Sequence, residues 1–338
     1  MAIKSRWKIG SWCAIVTGGS IGREGPLIQF GGAAGNAVGK ALELPLERAR
    51  LLIAAGTAAG FAAAYNTPFA AVLFVQEVVL GVVVVEALAP AFIATVLATE
   101  LTRFFVGEGP IYGVREFSVP SAMALLAYAG VGIFGALGAQ GFMRLLSFGE
   151  KLFHRWGRLP WRPAIGGLFT GIIVAMLPDV AGNGYEPLND ILDAQRSANF
   201  VAVLLIAKCI ATTTSVSSGS PGGVFTPTLL LGGGLGFLYG TALEHFIGSG
   251  VGSAGSYALV GMAATIAATT HAPLMAAVMA FELSGDYAVV LPLMLATGVA
   301  TIISRNMRKE SIYAAELRSR GVGWELTLEG RRLEEEQR

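Results

Sequence analysis

From His245 to Phe281 the chain runs 37 residues without an Asp, Glu, Lys or Arg, directly after a run of 35 from Cys209 to Leu243. Three further charge-free runs are Leu51 to Gln76 with 26 residues, Phe117 to Met143 with 27 and Tyr287 to Ser304 with 18. About 20 apolar residues span the hydrocarbon core of a bilayer, so each run is long enough to cross once or to hold two shorter helices. Lipid offers no partner to a bare peptide group, which leaves helices as the way to satisfy the backbone within one segment. The fold class is therefore an all-α polytopic membrane protein. Only 14% of the residues are charged, against about 25% in a soluble domain, which excludes an ordinary soluble enzyme.

The charges are also unevenly placed. Asn306 to Arg338 holds 14 of them in 33 positions, leaving 33 for the first 305 residues, so residues 314–338 read as a charged cytoplasmic tail, either a solvated helix or a disordered end. A net charge of +1 gives no basis for nucleic-acid binding. Cys13 and Cys209 lie in apolar stretches without metal-ligand spacing, so neither a disulfide nor a metal site is expected. The basic start Met1 to Lys8 runs into apolar sequence with no cleavage-site pattern and is not read as a removable signal.

The chain repeats itself. A shift of 201 places Gly22, Pro26, Gly31, Gly32, Gly35 and Gly39 over Gly223, Pro227, Gly232, Gly233, Gly236 and Gly240. A shift of 205 places Gly56, Ala58, Ala59, Ala62, Ala63, Pro68, Ala71 and Glu77 over Gly261, Ala263, Ala264, Ala267, Ala268, Pro273, Ala276 and Glu282. Such repeats are common in transporters, often inverted, with the substrate site where interrupted helices meet at mid-membrane.

The two interruptions read Gly18 to Pro26 and Ser217 to Pro227, each followed by a helix-length apolar run. Proline suits the first turn of a helix, and glycines at i, i+4 and i+8 give each helix a face that a neighbour can approach closely. The first amides of a helix lack intrahelical partners and carry partial positive charge. An anion would satisfy them. Neither segment has the lysine and hydroxyl of a phosphate-binding loop or a βαβ context, so a small desolvated anion fits better than a nucleotide. Glu24 has two readings: a first-turn acid favoured by the helix dipole, or a carboxylate that occupies the anion site and leaves when protonated or displaced. Ionisable groups inside membrane helices are costly and usually functional, which favours the second.

Gly22-Arg-Glu-Gly-Pro26 resembles the GREGP signature of the CLC chloride channel and transporter family, and Gly222-Gly-Val-Phe-Thr-Pro227 resembles its GGxFxP signature. Asn183-Gly-Tyr185, Thr270-His-Ala-Pro273 and Ser311-Ile-Tyr313 resemble its bacterial ClcB-like branch. The resemblance runs from about residue 4 to Tyr313. It implies a CLC-type inverted repeat with interrupted helices meeting at mid-membrane, a membrane domain over residues 1–313 with a second repeat at about 164–305, and one anion pathway in each subunit of a homodimer in a bacterial inner membrane. By the same resemblance Glu24 is the gating glutamate, Arg23, Gly25, Val224 and Phe225 supply backbone to the anion sites, and Tyr313 offers its hydroxyl to the central anion, unless it is a plain interfacial aromatic. No cofactor is implied. Chloride is the transported ligand and the bilayer the surrounding partner.

Two departures bear on function. The family's serine-bearing GSGIP motif should precede Gly18 and is absent, as are several helices before it, so the first repeat reads as incomplete and the chain as truncated at its N-terminus. Proton-coupled members carry an inner glutamate at the place of Val78. The expectation is passive chloride conduction, with proton-coupled antiport and a non-conducting fragment or accessory subunit as alternatives; no enzyme activity is expected.

Of the other ionisable residues, Glu77 and Glu282 read as structural acids at helix ends and His271 as a loop-capping group. Glu86 and Glu100 read as interfacial or paired. The basic segment around His154, with Lys151, Arg155 and Arg158, and the Arg308-Lys309 end both read as cytoplasmic.

Overall fold

The computed structural model describes residues 10–333 apart from 12, 108–110, 114, 116, 118–121, 156, 158, 160, 249–251, 320–323 and 328–329. Arg158 and the start of the resemblance near residue 4 fall outside the described residues.

Helical residues 10–11 and 13–16 precede α1 (Glu24–Ala41), α2 (Leu46–Tyr65) and α3 (Pro68–Phe74), which continues through a π-helical turn, Val75–Leu80. Then follow α4 (Val85–Val106), α5 (Ala122–His154), α6 (Arg162–Met176), α7 (Tyr185–Leu192), α8 (Ala198–Ser217), α9 (Phe225–Ile247), α10 (Ala254–Thr270), α11 (Pro273–Ser284), α12 (Val290–Met307) and α13 (Ile312–Ser319). Among the described residues four stretches are long and apolar enough to cross a membrane: Val85–Val106, Ala124–His154, Ala198–Ser217 and Tyr287–Arg318. On α4 the exposed apolar residues Ile93, Leu97, Leu101 and Phe104 fall at helical spacing on one face.

The expected repeat is present, and it is inverted. The pair α1 and α2 corresponds to α9 and α10, and in each pair small residues let backbones meet. A Cβ on Gly31 would strike the Gly56 carbonyl and one on Gly56 the Gly31 carbonyl; Gly232 and Gly261 stand in the same reciprocal relation. Helix α2 ends on Asn66 and α10 on the matching His271, both in the left-handed region, with φ of 54° and 60°. Each is followed by an extended residue and then the proline that starts α3 or α11.

The inversion is read from two acids. The Glu77 carboxylate, on the π turn that extends α3, accepts from the amides of Leu274 and Met275 at the start of α11, at 3.3 and 2.7 Å. Glu282, near the end of α11, accepts from Phe69 and Ala70 at the start of α3, at 2.9 and 2.7 Å. An element whose end meets its mate's beginning, and the reverse, runs antiparallel to it. Each acid satisfies orphan first-turn amides of the other half, which is the structural role expected of them. His271 fits the loop-capping reading: its carbonyl accepts from Arg305 at 3.0 Å, while Asn66 in the other half accepts from Arg103 through its side chain, also at 3.0 Å. Glu100 pairs with Arg103 at 3.3 Å.

Beyond α13 the tail is neither a longer helix nor shapeless. It forms an antiparallel hairpin of β1 (Trp324–Thr327) and β2 (Gly330–Leu333), with Trp324 opposite Leu333 and Glu325 opposite Arg332. Trp324 and Leu326 alternate with Glu325 and Thr327 along the sequence, the period of a strand.

Candidate anion site at two helix starts

The loops before α1 and α9 are tied together by a two-bond backbone bridge. Gly22 N donates to Gly223 O at 2.7 Å and Gly223 N to Gly22 O at 2.9 Å. Helix α1 begins at Glu24 and α9 at Phe225, so the bridge sets the two first turns side by side. Glycine at both bridge positions leaves room for the Glu24 carboxyl group, which a Cβ on either would overlap in its present place.

Glu24 is 1% exposed. Its side chain crosses to the other helix, where Oε1 accepts from Phe225 N at 3.0 Å and Thr226 N at 3.4 Å, and Oε2 accepts from the Thr226 hydroxyl at 3.0 Å. By the repeat register Phe225 is the mate of Glu24 and Thr226 the mate of Gly25. The first-turn amides of one half are thus filled by the acid of the other, which has no counterpart in its own mate. The Glu24 carboxylate is held by donors of the opposite half rather than by its own helix.

Thr226 spends its hydroxyl proton on Glu24, so the Tyr65 phenol at 2.9 Å is the donor in their contact. Tyr65 is fully buried, and its ring and that of Phe61 lie 5.4 and 5.5 Å from the Phe225 ring. This aromatic wall fixes the start of α9 without offering a competing charge. Neither Tyr65 nor Thr226 was expected at the site from sequence. A hydroxyl residue one place before the proline of a glycine-rich helix start was the available signal for Thr226; nothing local in α2 marked Tyr65.

The remaining expected residues divide. Gly25, Val224 and Tyr313 stand with Glu24 in the wall of one cavity of about 860 Å³. The Tyr313 ring meets Phe74 edge to face at 6.2 Å. Arg23 caps the start of α1 but sends its guanidinium away, over the Tyr185 ring at 5.2 Å. Phe225 serves through its amide. Val78, where proton-coupled relatives of the resemblance carry an acid, is a buried apolar part of the cavity wall. Ser147, Glu150 and Arg308 line the same cavity, so the end of α5 and the Arg308-Lys309 end share one side of the molecule.

A small, buried, amide-lined site between two interrupted helices of an inverted repeat defines a membrane protein for small anions. The sequence comparisons then place it: the chain belongs to the family described as voltage gated chloride channel, which matches residues 6–305. It is 40% identical over 313 residues to a protein of Ralstonia nicotianae described as ClcB-like, covering 91% of this chain and 73% of that relative. Among solved structures it resembles a slow cyanobacterial Cl⁻/H⁺ antiporter, with TM-score 0.83, 26% identity and coverage of 91% of this chain and 73% of the other. A CLC-type fluoride/proton antiporter follows with TM-score 0.79, 26% identity and coverage of 90% and 74%.

Proposed function

We propose that this chain carries chloride across a bacterial inner membrane along a pathway that passes the start of α9, with Glu24 as its gate. The observation that carries this reading is the Glu24 carboxylate held by two amides and a hydroxyl of the opposite half. Three donors aimed at a monovalent oxygen anion in a water-poor site are equally suited to a halide. A bound chloride there requires the carboxylate to leave, and protonation of Glu24 removes the charge that seats it. Flux therefore rises as the pH falls.

Gly25 and Val224 supply cavity-facing backbone beside the seat, and Tyr313 supplies a hydroxyl from the opposite wall of the cavity. Arg23 contributes its backbone at the head of α1 and a cation on the Tyr185 face. We assign one such pathway to each subunit of a homodimer, in line with the family resemblance.

We further propose passive conduction rather than obligatory proton exchange, because the wall at Val78 offers no proton acceptor. The solved relatives are antiporters by their descriptions, so the distinction needs a direct test. Purified protein in chloride-loaded liposomes should release chloride, faster at acid pH, and Glu24→Ala should abolish the pH dependence. No release by the unaltered protein overturns the reading. Chloride accumulation driven by an imposed proton gradient overturns passive conduction while leaving the pathway intact.

A further inference from the structure

Lys208 lies within α8, a helix apolar enough to span a membrane, and its side chain is 1% exposed. Burying an ammonium costs several kcal/mol unless it is paired and hydrogen-bonded, and charges inside membrane helices are rarely idle. The hydrogen bonds are there: Nζ donates to Val180 O at 2.9 Å and Gly182 O at 2.7 Å. The ion pair is not. Among the described residues no carboxylate lies within ion-pair distance of Lys208, and the acids on the neighbouring segments, Asp179 and Asp190, are both taken by Arg196 at 3.2 and 2.7 Å. Two carbonyl dipoles solvate the ammonium without neutralising it.

The position of this charge matters. The Lys208 Nζ lies where a Cβ on Gly184 would meet it at 3.4 Å, beside Leu230 of α9. Gly184 caps α7, with φ of 87°, and the next residue is Tyr185, whose ring carries the Arg23 guanidinium. Lys208 and Arg23 thus flank the Gly184-Tyr185 step, against the two helices whose starts form the anion seat. Among the described residues neither cation forms an ion pair. In so dry a setting a charge acts over several ångströms with little screening by salt.

We infer that Lys208 in its ammonium form supplies a positive potential that raises chloride occupancy at the helix starts without touching the anion. This rests on the reading of the helix starts as a chloride site. The competing role is a mechanical one, in which Lys208 only ties the 180–182 loop to α8.

Because the same potential also holds the Glu24 carboxylate in place, the test is made in the Glu24→Gln background, where no carboxylate competes. Chloride is titrated calorimetrically into that protein and into versions that also carry Lys208→Arg, Lys208→Gln or Lys208→Met. Glutamine keeps N–H donors for the loop carbonyls but has no charge. Chloride binding should weaken about tenfold in the Gln and Met versions, and should be retained within about threefold in the Arg version. Equal affinity in the Gln version overturns the inference, including the case where only the Met version is weakened, which is what a loop tie predicts. If the Met version does not fold, the comparison of Gln with Arg decides. No chloride binding in the Glu24→Gln reference itself overturns the chloride site and this inference together.

Discussion

Replacing Glu24 by glutamine removes the seated charge with almost no change of shape. In the unaltered protein chloride must first displace the carboxylate, and two of the hydrogen bonds that break when it leaves, from Phe225 N and the Thr226 hydroxyl, are both 3.0 Å long. Hydrogen bonds to a charged group are worth about 1.5–3 kcal/mol each; the 3.4 Å contact of Thr226 N adds little. Two such bonds come to about 3 kcal/mol at the low end. A competitor held by that amount reduces apparent chloride affinity by about a hundredfold at 1.4 kcal/mol per decade. Glutamine recovers part of this, because its carbonyl oxygen can still accept one bond while its amide nitrogen cannot accept from Thr226. The expected gain for Glu24→Gln is therefore between about tenfold and a hundredfold in chloride affinity, read by isothermal titration at neutral pH. Loss of the acid-stimulated component of flux should accompany it. A folded Glu24→Gln protein with unchanged affinity and an unchanged pH profile would refute the idea that the carboxylate and the anion compete for one set of donors.

Four further outcomes follow from the geometry. Gly223→Ala places a methyl group against the Glu24 carboxyl, so it should unseat the gate, flatten the pH profile of flux and cost about 1–3 kcal/mol of stability by overpacking, measured as a fall in thermal midpoint in detergent. Glu282→Ala leaves the Phe69 and Ala70 amides uncapped and should destabilise by about 2 kcal/mol, whereas Glu282→Gln, which keeps one acceptor, should lose about half of that. Gly232→Val drives a branched side chain into the Gly261 carbonyl and should prevent α9 and α10 from closing, seen as loss of the folded, monodisperse protein on size exclusion. The Arg115 guanidinium, 2.6 Å from the half-exposed Asp193 in the loop after α7, holds that carboxyl below its ordinary range. A depressed acid stabilises above its unfolded-state pKa and loses that contribution as pH falls through its folded value. The midpoint difference between the unaltered protein and Arg115→Gln should accordingly be small at pH 7, reflecting at most about 1 kcal/mol for an exposed pair, and vanish near pH 2; a difference that grows on acidification would contradict the assignment.

The legible parts of the site were those carried by backbone shape. Glycine and proline restrict or free φ in a way that survives without knowledge of the neighbours, so the two helix starts, the close-packing faces and the repeat register could be read from spacing alone. Glu24 was legible because an acid inside an apolar, glycine-rich interruption has few uses. Residues whose role depends on a partner far along the chain were not. Tyr65 reaches Thr226 across 161 positions, and nothing in its own alanine-rich helix distinguishes it from a core aromatic. Lys208 stands just before the charge-free run that begins at Cys209, where a lone cation reads as the end of a span, and its importance lies in the acids that do not face it.

That the chain suits a membrane, that it repeats once and where its two glycine–proline interruptions fall are all written in local sequence. Charge-free length and residue-specific backbone preference are local properties and need no contact to act. Spacing alone does not give the direction of the halves, which the family resemblance implies and the structure shows through Glu77 meeting the start of α11 while Glu282 meets the start of α3. The seating of Glu24 in the other half's amides rather than on its own helix is likewise a matter of packing. Direction and pairing across about 200 residues are set by packing, where the reciprocal glycine contacts admit one approach of the helices and the acids then find the unpaired first-turn amides within their reach.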